Sequence, residues 1–266
     1  MLKIENISKT FYPGTANEKK ALQNLSLSLD SGDFVTIIGS NGAGKSTLFN
    51  AIAGVWQTDS GEIFIDGENV TFAPETYRAR LVGRIFQDPM KGTSPSLTVE
   101  ENLGLAYSAG KKMFLRPAIS KKDRDVFREA LKGLGMGLED RLRVPMGTLS
   151  GGQRQAVTLI MATIVTPKLL LLDEHTAALD PLTAEKVLEI TKSIVESRKI
   201  TTLMITHNMA NSLEMGNRTI LMDNGAVAID LKGEKRKNTD VAGLLELYRE
   251  VKGKQLDNDR MLLSTD

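Results

Sequence analysis

The sequence of 266 residues contains no cysteine, which excludes disulfide bonds and thiolate metal sites and is consistent with a reducing compartment. No apolar run approaches the roughly 20 residues that span a bilayer, and the first residues have no hydrophobic signal-peptide region. We therefore expect any role at a membrane to depend on a partner. The formal net charge of +1 gives no overall field that would attract nucleic acid. No internal repeat is present, which predicts one catalytic unit.

One stretch organises the rest of the chain: an apolar β-type run at residues 35–38, a glycine-rich loop, and an amphipathic run at 48–53. Backbone N–H groups of such a loop can surround a triphosphate, provided that no side chains block the approach. The Lys45 ammonium can reach the β- and γ-phosphates, and the Ser46 hydroxyl can ligate Mg²⁺. A glycine-rich turn that binds nothing is the alternative, but it leaves the lysine unexplained. The predicted nucleotide-binding loop comprises Gly39, Ser40, Asn41, Gly42, Ala43, Gly44, Lys45, Ser46 and Thr47.

Two alternating segments near the N-terminus, residues 2–7 and 25–29, predict half-exposed antiparallel strands. Between them, residues 11–20 predict a turn and loop that begins with Phe11 and Tyr12. An aromatic pair before a turn is usually edge packing, but a ring in this place could also stack on adenine. The residues alone leave both interpretations open.

Polar side chains follow three further apolar runs: Gln87 after residues 81–86, Asp173 and Glu174 after 169–172, and His207 after 201–206. Ligands of open α/β sheets bind at the carboxyl ends of the strands. Asp173 can hold the Mg²⁺ that bridges the phosphates, and Glu174, pointing the other way, can orient and deprotonate the attacking water. Taken alone, Gln87 could be a surface residue and His207 a hydrogen-bonded structural histidine.

Residues 95–148 have helical spacing and predict an inserted helical subdomain, with helices starting near residues 98 and 123. The subdomain carries a basic group for which we expect a solvated surface, with lipid headgroups or a partner as the alternative. The group comprises Lys111, Lys112, Arg116, Lys121 and Lys122.

A second anion-receiving surface is predicted at Ser150, Gly151 and Gly152, which precede a helix expected over residues 153–165. It has no lysine, so we do not expect it to hold a nucleotide alone, and a simple helix cap is the alternative. Further along, Asn224-Gly225 predicts a hairpin, and residues 240–251 predict a helix before a polar tail.

Together these residues resemble the ATP-binding subunit of ABC transporters, from about residue 2 to about residue 247. The resemblance is carried by the Walker A loop at 39–47, the Q-loop Gln87, the LSGGQ signature at 149–153, Walker B at 169–173 with the catalytic Glu174, the D-loop at 178–180 and the switch His207. The adenine-stacking aromatic of the family corresponds to Phe11, with Tyr12 as the alternative.

The resemblance implies an α/β fold: a P-loop NTPase (RecA-like) core with a mostly parallel sheet, an N-terminal antiparallel β-subdomain and an inserted α-helical subdomain. It implies one ABC ATPase domain over residues 1–266. Its expected parts are a core at 1–94 and 155–231, a helical signature subdomain at 95–154, and a C-terminal helix and tail at 232–266.

The resemblance also implies ATP and Mg²⁺ as cofactors and a composite site between two copies bound head to tail. The implied catalytic residues are Glu174, His207, Gln87 and Lys45, and the implied metal ligands are Ser46, Gln87 and Asp173. The residues implied to close over ATP from the second copy are Ser150, Gly151, Gly152 and Gln153, and Asp180 of the D-loop is also implied to bind the nucleotide. ATP binding would close the dimer, and hydrolysis would reopen it.

The wording DEHTAALDP, followed by ITHNM, is most similar to bacterial uptake systems for amino acids or related small solutes. The implied partners are permease subunits and an extracytoplasmic solute-binding protein, with the chain on the cytoplasmic side of the cell membrane. Ala156 and Met161 depart from the arginines of many relatives, which usually support the fold. A stand-alone soluble ABC ATPase is the alternative function. A P-loop kinase or GTPase is disfavoured by the LSGGQ stretch and by the lack of an N-K-x-D motif.

Overall fold

A computed structural model describes residues 1–108 and 119–252 of the chain. The strands are β1 (Leu2–Phe11), β2 (Lys19–Leu29), β3 (Phe34–Ile38), β4 (Ser60–Ile65), β5 (Glu68–Asn69), β6 (Val82–Ile85), β7 (Leu169–Asp173), β8 (Thr201–Ile205), β9 (Arg218–Asp223) and β10 (Ala226–Lys232). The helices are α1 (Lys45–Ala53), α2 (Glu75–Arg78), α3 (Val99–Ser108), α4 (Lys121–Lys132), α5 (Gly151–Thr163), α6 (Pro181–Arg198), α7 (Met209–Glu214), α8 (Gly233–Lys237) and α9 (Val241–Lys252).

Strands β2, β1, β4 and β5 form an antiparallel sheet in that order, which confirms the predicted antiparallel pair. Both strands of this pair are longer than predicted, because Phe11 pairs with Lys19, Thr10 with Lys20 and Lys9 with Leu22. The predicted loop at 11–20 was therefore wrong at both ends. Ladder hydrogen bonds satisfy the backbone there, and among the added residues of β2 the side chains of Ala21 and Leu22 are also buried.

The second sheet has the order β10-β9-β3-β8-β7-β6, and its strands are parallel except for β10. Strands β3 and β8 are buried along their whole length, as expected for apolar runs covered on both faces. The β9–β10 hairpin turns through Asn224 and Gly225, both at positive φ, as the sequence predicts. The mostly parallel core is thus confirmed.

Helix α1 connects the two sheets through a shared apolar core. Its Phe49 is fully buried and packs in one cluster with Leu2 of the antiparallel sheet and Leu171 of the parallel sheet. The end of α1 is fixed by Arg78, whose guanidinium donates to the carbonyls of Ala51 (2.7 Å) and Ile52 (3.0 Å). The glycine loop that precedes α1 is therefore mounted on a helix held at its far end.

The helical region has its own core, in which Val99, Phe127 and Leu131 pack against residues of α5. Helix α4 begins at Lys121, earlier than predicted, because Ser120 caps it and exchanges hydrogen bonds with Asp123. Helix α5 begins at Gly151, also earlier than predicted. It runs without a break through the expected boundary between residues 154 and 155, so the division into parts stays a prediction.

The C-terminal part of the described chain packs beside the parallel sheet, where Leu244 and Tyr248 of α9 are buried against Ile38 and Leu221. Lys111, Lys112 and Arg116 of the predicted basic group, and the tail beyond residue 252, lie outside the described residues. In the two described segments, no helix combines the length and the apolar character that crossing a bilayer requires.

Candidate nucleotide site

The glycine loop follows β3 and turns through positive φ at Gly39 (154°) and Gly44 (98°). A Cβ on Gly39 would lie 2.3 Å from the carbonyl oxygen of Met222, and one on Gly44 would lie 2.5 Å from that of Ala21. The loop backbone therefore packs tightly on β9 and β2. The sequence argument explained these glycines by access for phosphates, but the protein's own packing already requires them. A Cβ on Gly42 would meet only Nζ of Lys19, at 3.8 Å.

Lys45 is the first residue of α1, and its side chain is buried at 5% exposure. Its Nζ donates to the carbonyl oxygens of Gly39 (2.6 Å) and Ser40 (3.1 Å), so the ammonium lies across the loop. The first turn of α1 contains no acidic residue that would neutralise the partial positive charge of the helix N-terminus. Ser46 in this turn is exposed. The loop thus combines a buried cation, helical N–H groups and an accessible hydroxyl, a set suited to phosphate and Mg²⁺.

Asp173 ends β7 and is 15% exposed at its side chain. Burial raises the pKa of its carboxyl, and the charge of Glu174 adds to this, while the cationic Arg84 and Lys45 oppose it. The Nη2 of Arg84 lies 3.7 Å from Oδ2 of Asp173. A buried carboxylate whose charged form is penalised by desolvation is well placed to gain from a cation.

Glu174 and His207 contact each other directly: Oε1 of the carboxylate lies 2.5 Å from Nε2 of the imidazole. Glu174 has φ of 47°, which few non-glycine residues adopt, and its N–H donates to the carbonyl of Ile205 (3.1 Å). This backbone conformation sends its side chain toward the end of β8, where the histidine follows. Local strain of this kind is concentrated at functional sites.

An open cleft of about 1090 Å³ lies at this edge of the sheet. Its lining brings together site residues that are far apart in the sequence, namely Asn41, Gln87, Glu174 and His207. Gln87 is exposed, as expected for an amide at the start of a loop. The residues found to line the cleft do not include Ser150, Gly151, Gly152 or Gln153.

The LSGGQ stretch forms the N-terminus of α5. Ser150 accepts a hydrogen bond from the N–H of Gln153 (3.3 Å), and the Gln153 side chain accepts one from the N–H of Ser150 (3.3 Å). The simple helix cap is therefore present. Gly152 lies against α6, because a Cβ there would be 2.0 Å from Cγ2 of Thr183. Asp180 caps α6 by accepting from the N–H of Thr183 (3.1 Å), so the signature and the predicted D-loop are neighbours.

The aromatic candidates lie at the end of β1. Phe11 makes an edge-to-face contact with Trp56 at 5.5 Å between ring centroids, and Nζ of Lys9 lies 5.8 Å from its ring. Edge packing, one of the two sequence interpretations, is therefore observed, and it leaves Phe11 partly exposed. Tyr12 is 68% exposed and itself has a positive φ of 52°. Sequence reasoning missed Trp56, although it is the single tryptophan of the chain.

His175, next to the catalytic candidate, is also a residue that sequence reasoning did not single out. It is 3% exposed, and its Nε2 lies 3.1 Å from Oγ1 of Thr191 on α6. Burial lowers the pKa of this imidazole to about 4, so it is neutral at neutral pH. Its role is to hold the loop after β7 against α6.

The fold and the glycine loop define a P-loop nucleotide-binding protein. The model of the ABC transporter family matches residues 22–177. The tyrosine transport ATP-binding protein of Clostridioides difficile is 44% identical over 248 residues, which cover 93% of this chain and 98% of that protein. The xylose/arabinose import ATP-binding protein of Sulfolobus acidocaldarius is 32% identical, covering 93% of each. The chain belongs to the ABC transporter family of ATP-binding proteins.

Solved structures agree with this family. The dimeric structure of a bacterial ABC transporter cassette superposes with a TM-score of 0.75 at 30% identity, covering 87% of this chain and 98% of that chain. The same values apply to a dimeric ATP-binding cassette in a post-hydrolysis state bound to ADP and Pi. The α/β P-loop architecture expected from the sequence is therefore confirmed.

Proposed function

We propose that this chain binds ATP with Mg²⁺ and hydrolyses it to drive solute import through membrane-spanning subunits. The observation that carries the proposal is that Asp173 lies close enough to Lys45 and Glu174 to be affected by their charges, while the Glu174–His207 pair lines the cleft. Lys45 follows β3 and the glycine loop, Asp173 and Glu174 stand at the end of β7, and His207 follows β8. Such an edge is the usual ligand site of open α/β sheets.

In this proposal, the loop from Gly39 to Thr47 holds the phosphates. The Lys45 ammonium exchanges loop carbonyls for phosphate oxygens, and Phe11 supplies a face for the adenine ring. The hydroxyl of Ser46, the amide of Gln87 and the carboxylate of Asp173 form an oxygen donor set of the kind that Mg²⁺ prefers. The buried Asp173 fits this role, because its charged form gains from a cation. When bound, Mg²⁺ would neutralise charge on the phosphates.

Glu174 is proposed as the base that orients the attacking water and accepts its proton. The 2.5 Å contact with His207 holds the carboxylate in one place, with the imidazole Nε2–H donating to it. His207 would in turn contact the γ-phosphate. Gln87, which is exposed on the loop after β6, would change its contacts when nucleotide and Mg²⁺ are bound.

A second copy of the chain is proposed to complete the site. The signature residues Ser150, Gly151 and Gln153 are exposed or partly exposed at the N-terminus of α5, where a second copy can reach them. The N–H groups in the first turn of α5 can donate hydrogen bonds to the γ-phosphate of the ATP bound by the other copy, and Asp180 lies beside them. The dimeric cassette with ADP and Pi supports this arrangement by similarity.

The transport role is supported by the names of the relatives, which are ATP-binding subunits of tyrosine, sugar and choline transport systems. By this similarity we propose permease subunits as partners, an extracytoplasmic solute-binding protein, a position at the cytoplasmic side of the membrane, and an amino acid or related small molecule as the solute. No partner nucleic acid is proposed. The relatives favour this function over a stand-alone ATPase.

The test is phosphate release from ATP by the purified chain with Mg²⁺. Lys45→Ala should abolish nucleotide binding or turnover, because the buried ammonium is the main cation of the loop. Lys168→Ala is the matched control: it also removes an ammonium, but from an exposed pair with Asp66. A Lys45→Ala variant with unchanged turnover would remove the central assignment.

A further inference from the structure

Arg84 lies beside Asp173 because of how β6 and β7 pair. The parallel register places Arg84 opposite Leu171. Asp173 comes two residues after Leu171, so it lies on the same face of the sheet as a diagonal neighbour of Arg84. A guanidinium is long enough to cover this diagonal, and its Nη2 lies 3.7 Å from Oδ2 of the carboxylate.

The pair is largely removed from water, with the side chains of Arg84 and Asp173 only 13% and 15% exposed. Burial lowers the pKa of the guanidinium and raises that of the carboxyl, so desolvation penalises both charges. Each charge therefore needs an opposite one nearby. Without bound cation, Arg84 supplies the positive charge that Asp173 faces across the strands.

The contact is nevertheless incomplete. Arg84 Nε is buried and has no hydrogen-bond partner among the described residues, and the ion-pair distance exceeds that of a hydrogen bond. A guanidinium committed to a structural pair usually makes two parallel hydrogen bonds to the carboxylate. Arg84 thus offsets the negative charge of Asp173 without making a direct hydrogen bond to its carboxylate oxygens.

Arg84 has a second support that does not involve Asp173. Its guanidinium lies over the ring of Phe86 at 4.6 Å, and the charge of Glu75 on α2 favours its protonated form. Phe86 directly precedes Gln87, the proposed sensor on the loop. If the Asp173 carboxylate bound another cation, the Arg84 guanidinium could keep its contact with the Phe86 ring.

We propose that Arg84 is a positioning residue that holds Asp173 in the absence of metal and competes with Mg²⁺ for its carboxylate. The inference rests on the proposed role of Asp173 as a Mg²⁺ ligand. Arg84 would thereby raise the Mg²⁺ concentration that half-saturates the metal site of the ATP-bound chain. Together with Lys45, it would also supply a countercharge to the partly buried carboxylate between cycles.

The experiment measures the thermal unfolding midpoint of the full chain at saturating ATP while Mg²⁺ is titrated, with a parallel sample in EDTA without nucleotide. Arg84→Met removes the charge but keeps an apolar stem. It should lower the half-saturating Mg²⁺ about five-fold, the size expected for one partly buried ion pair. The same variant should unfold at lower temperature in EDTA, because the partly buried Asp173 then has only the charge of Lys45 to offset its desolvation.

Matched variants separate the proposed role from general packing. Arg84→Lys keeps a cation and should restore the half-saturating Mg²⁺ and the midpoint toward wild type. Lys168→Met breaks the exposed pair with Asp66 and should change neither. Where Arg84→Met does not fold, Arg84→Gln, which keeps donors without the charge, replaces it in the titration.

Two outcomes would overturn the inference or its basis, and they differ. If Asp173→Asn abolishes Mg²⁺-dependent stabilisation while the neutral Arg84 variant titrates like wild type, only the competition by Arg84 is wrong. If Asp173→Asn titrates like wild type, the proposed metal ligand itself is wrong. A five-fold shift in Arg84→Met that Arg84→Lys reverses supports both.

Discussion

His207 Nε2 lies 2.5 Å from Oε1 of Glu174, across the ends of two adjacent parallel strands. The contact depends on the positive φ of Glu174, which turns its side chain toward β8 instead of continuing the pleat of β7. Asp173, one residue earlier, faces Arg84 on the other neighbouring strand. Two consecutive carboxylates are thus directed to different partners, and the proposed division between metal binding and water activation follows from this.

The first prediction concerns the base. Glu174→Gln keeps the shape of the side chain but cannot accept a proton, so ATP turnover should fall about 10²–10⁴-fold. Binding of ATP, measured by equilibrium dialysis, should stay within about two-fold because the phosphate loop is unchanged. Glu185 lines a nearby part of the same cleft, so Glu185→Gln is the control and should hydrolyse ATP at the wild-type rate. Normal turnover by Glu174→Gln would exclude the proposed base.

The second prediction uses the single tryptophan as a reporter of the adenine. Trp56 contacts Phe11 edge to face, so a base stacked on Phe11 would alter the surroundings of the indole. Adding ATP in EDTA should change the Trp56 emission, and Phe11→Leu should remove this change and weaken ATP binding about ten-fold, the size of one stacking contact.

Tyr12→Leu is the control for this measurement, since Tyr12 is the alternative stacking residue and is largely exposed. If Tyr12→Leu removes the response while Phe11→Leu keeps it, the alternative is correct. If neither variant alters binding, adenine stacks on neither ring.

The third prediction concerns Arg78, which is 1% exposed. Its guanidinium donates to the carbonyls of Thr71 (2.8 Å), Ala51 and Ile52, and burial lowers its pKa. Arg78→Met would leave these buried acceptors unpaired. We expect the free energy of unfolding in urea to fall by about 3 kcal/mol. Arg80→Met, on the exposed side of the same segment, should cost less than about 0.5 kcal/mol. If both variants lost the same free energy of unfolding, the hydrogen bonds from Arg78 to these carbonyls would make no contribution of their own.

Arg78 also illustrates what the sequence could and could not predict. The strands, the glycine loop and the polar strand ends follow from local patterns, because apolar runs and glycines specify their own conformation. The acceptors of Arg78 lie up to 27 residues away in the chain, and the partner of Arg84 is on another strand. The composition of a local stretch of sequence does not predict such contacts. The extension of β1 to Phe11 was missed for the same reason, since its pairing partner, and not its own side chains, makes it a strand.

The fourth prediction is a pH dependence of stability from His175. Its pKa is lowered to about 4 in the folded chain, while the unfolded imidazole titrates near its usual 6.5. Between these values the unfolded state binds more protons, so stability is present above pH 6.5 and is lost as the pH falls toward 4. We expect the free energy of unfolding to drop by about 2 kcal/mol from pH 7 to pH 5 through this group.

The carboxylates of the chain also begin to titrate near pH 5, so the contribution of His175 is isolated by comparison. His175→Gln can keep a hydrogen bond to Thr191 without taking up a proton, and its loss of stability over the same range should be smaller by that amount. The measurement is urea unfolding of both proteins at each pH. Parallel pH curves would contradict a neutral, buried imidazole.

The last prediction tests the composite site. In the Glu174→Gln background, ATP should accumulate between two copies, and sedimentation velocity with ATP and Mg²⁺ should show a dimer. Adding Ser150→Arg places a bulky cation at the exposed N-terminus of α5, where the second copy would approach. The double variant should stay monomeric with ATP and still bind the nucleotide within about two-fold of the single variant, because Ser150 is bonded to Gln153 of α5 and the phosphate loop at residues 39–47 is unchanged.

Loss of the Ser150 cap would by itself cost the protein about 1 kcal/mol, which must be separated from an effect on association. Ser120→Arg provides the comparison, because Ser120 caps α4 with the same pair of hydrogen bonds but lies outside the proposed interface. In the same Glu174→Gln background, Ser120→Arg should lose similar stability and still form the ATP-dependent dimer. A dimer formed equally well by both double variants would mean that the N-terminus of α5 does not close over the ATP of the second copy.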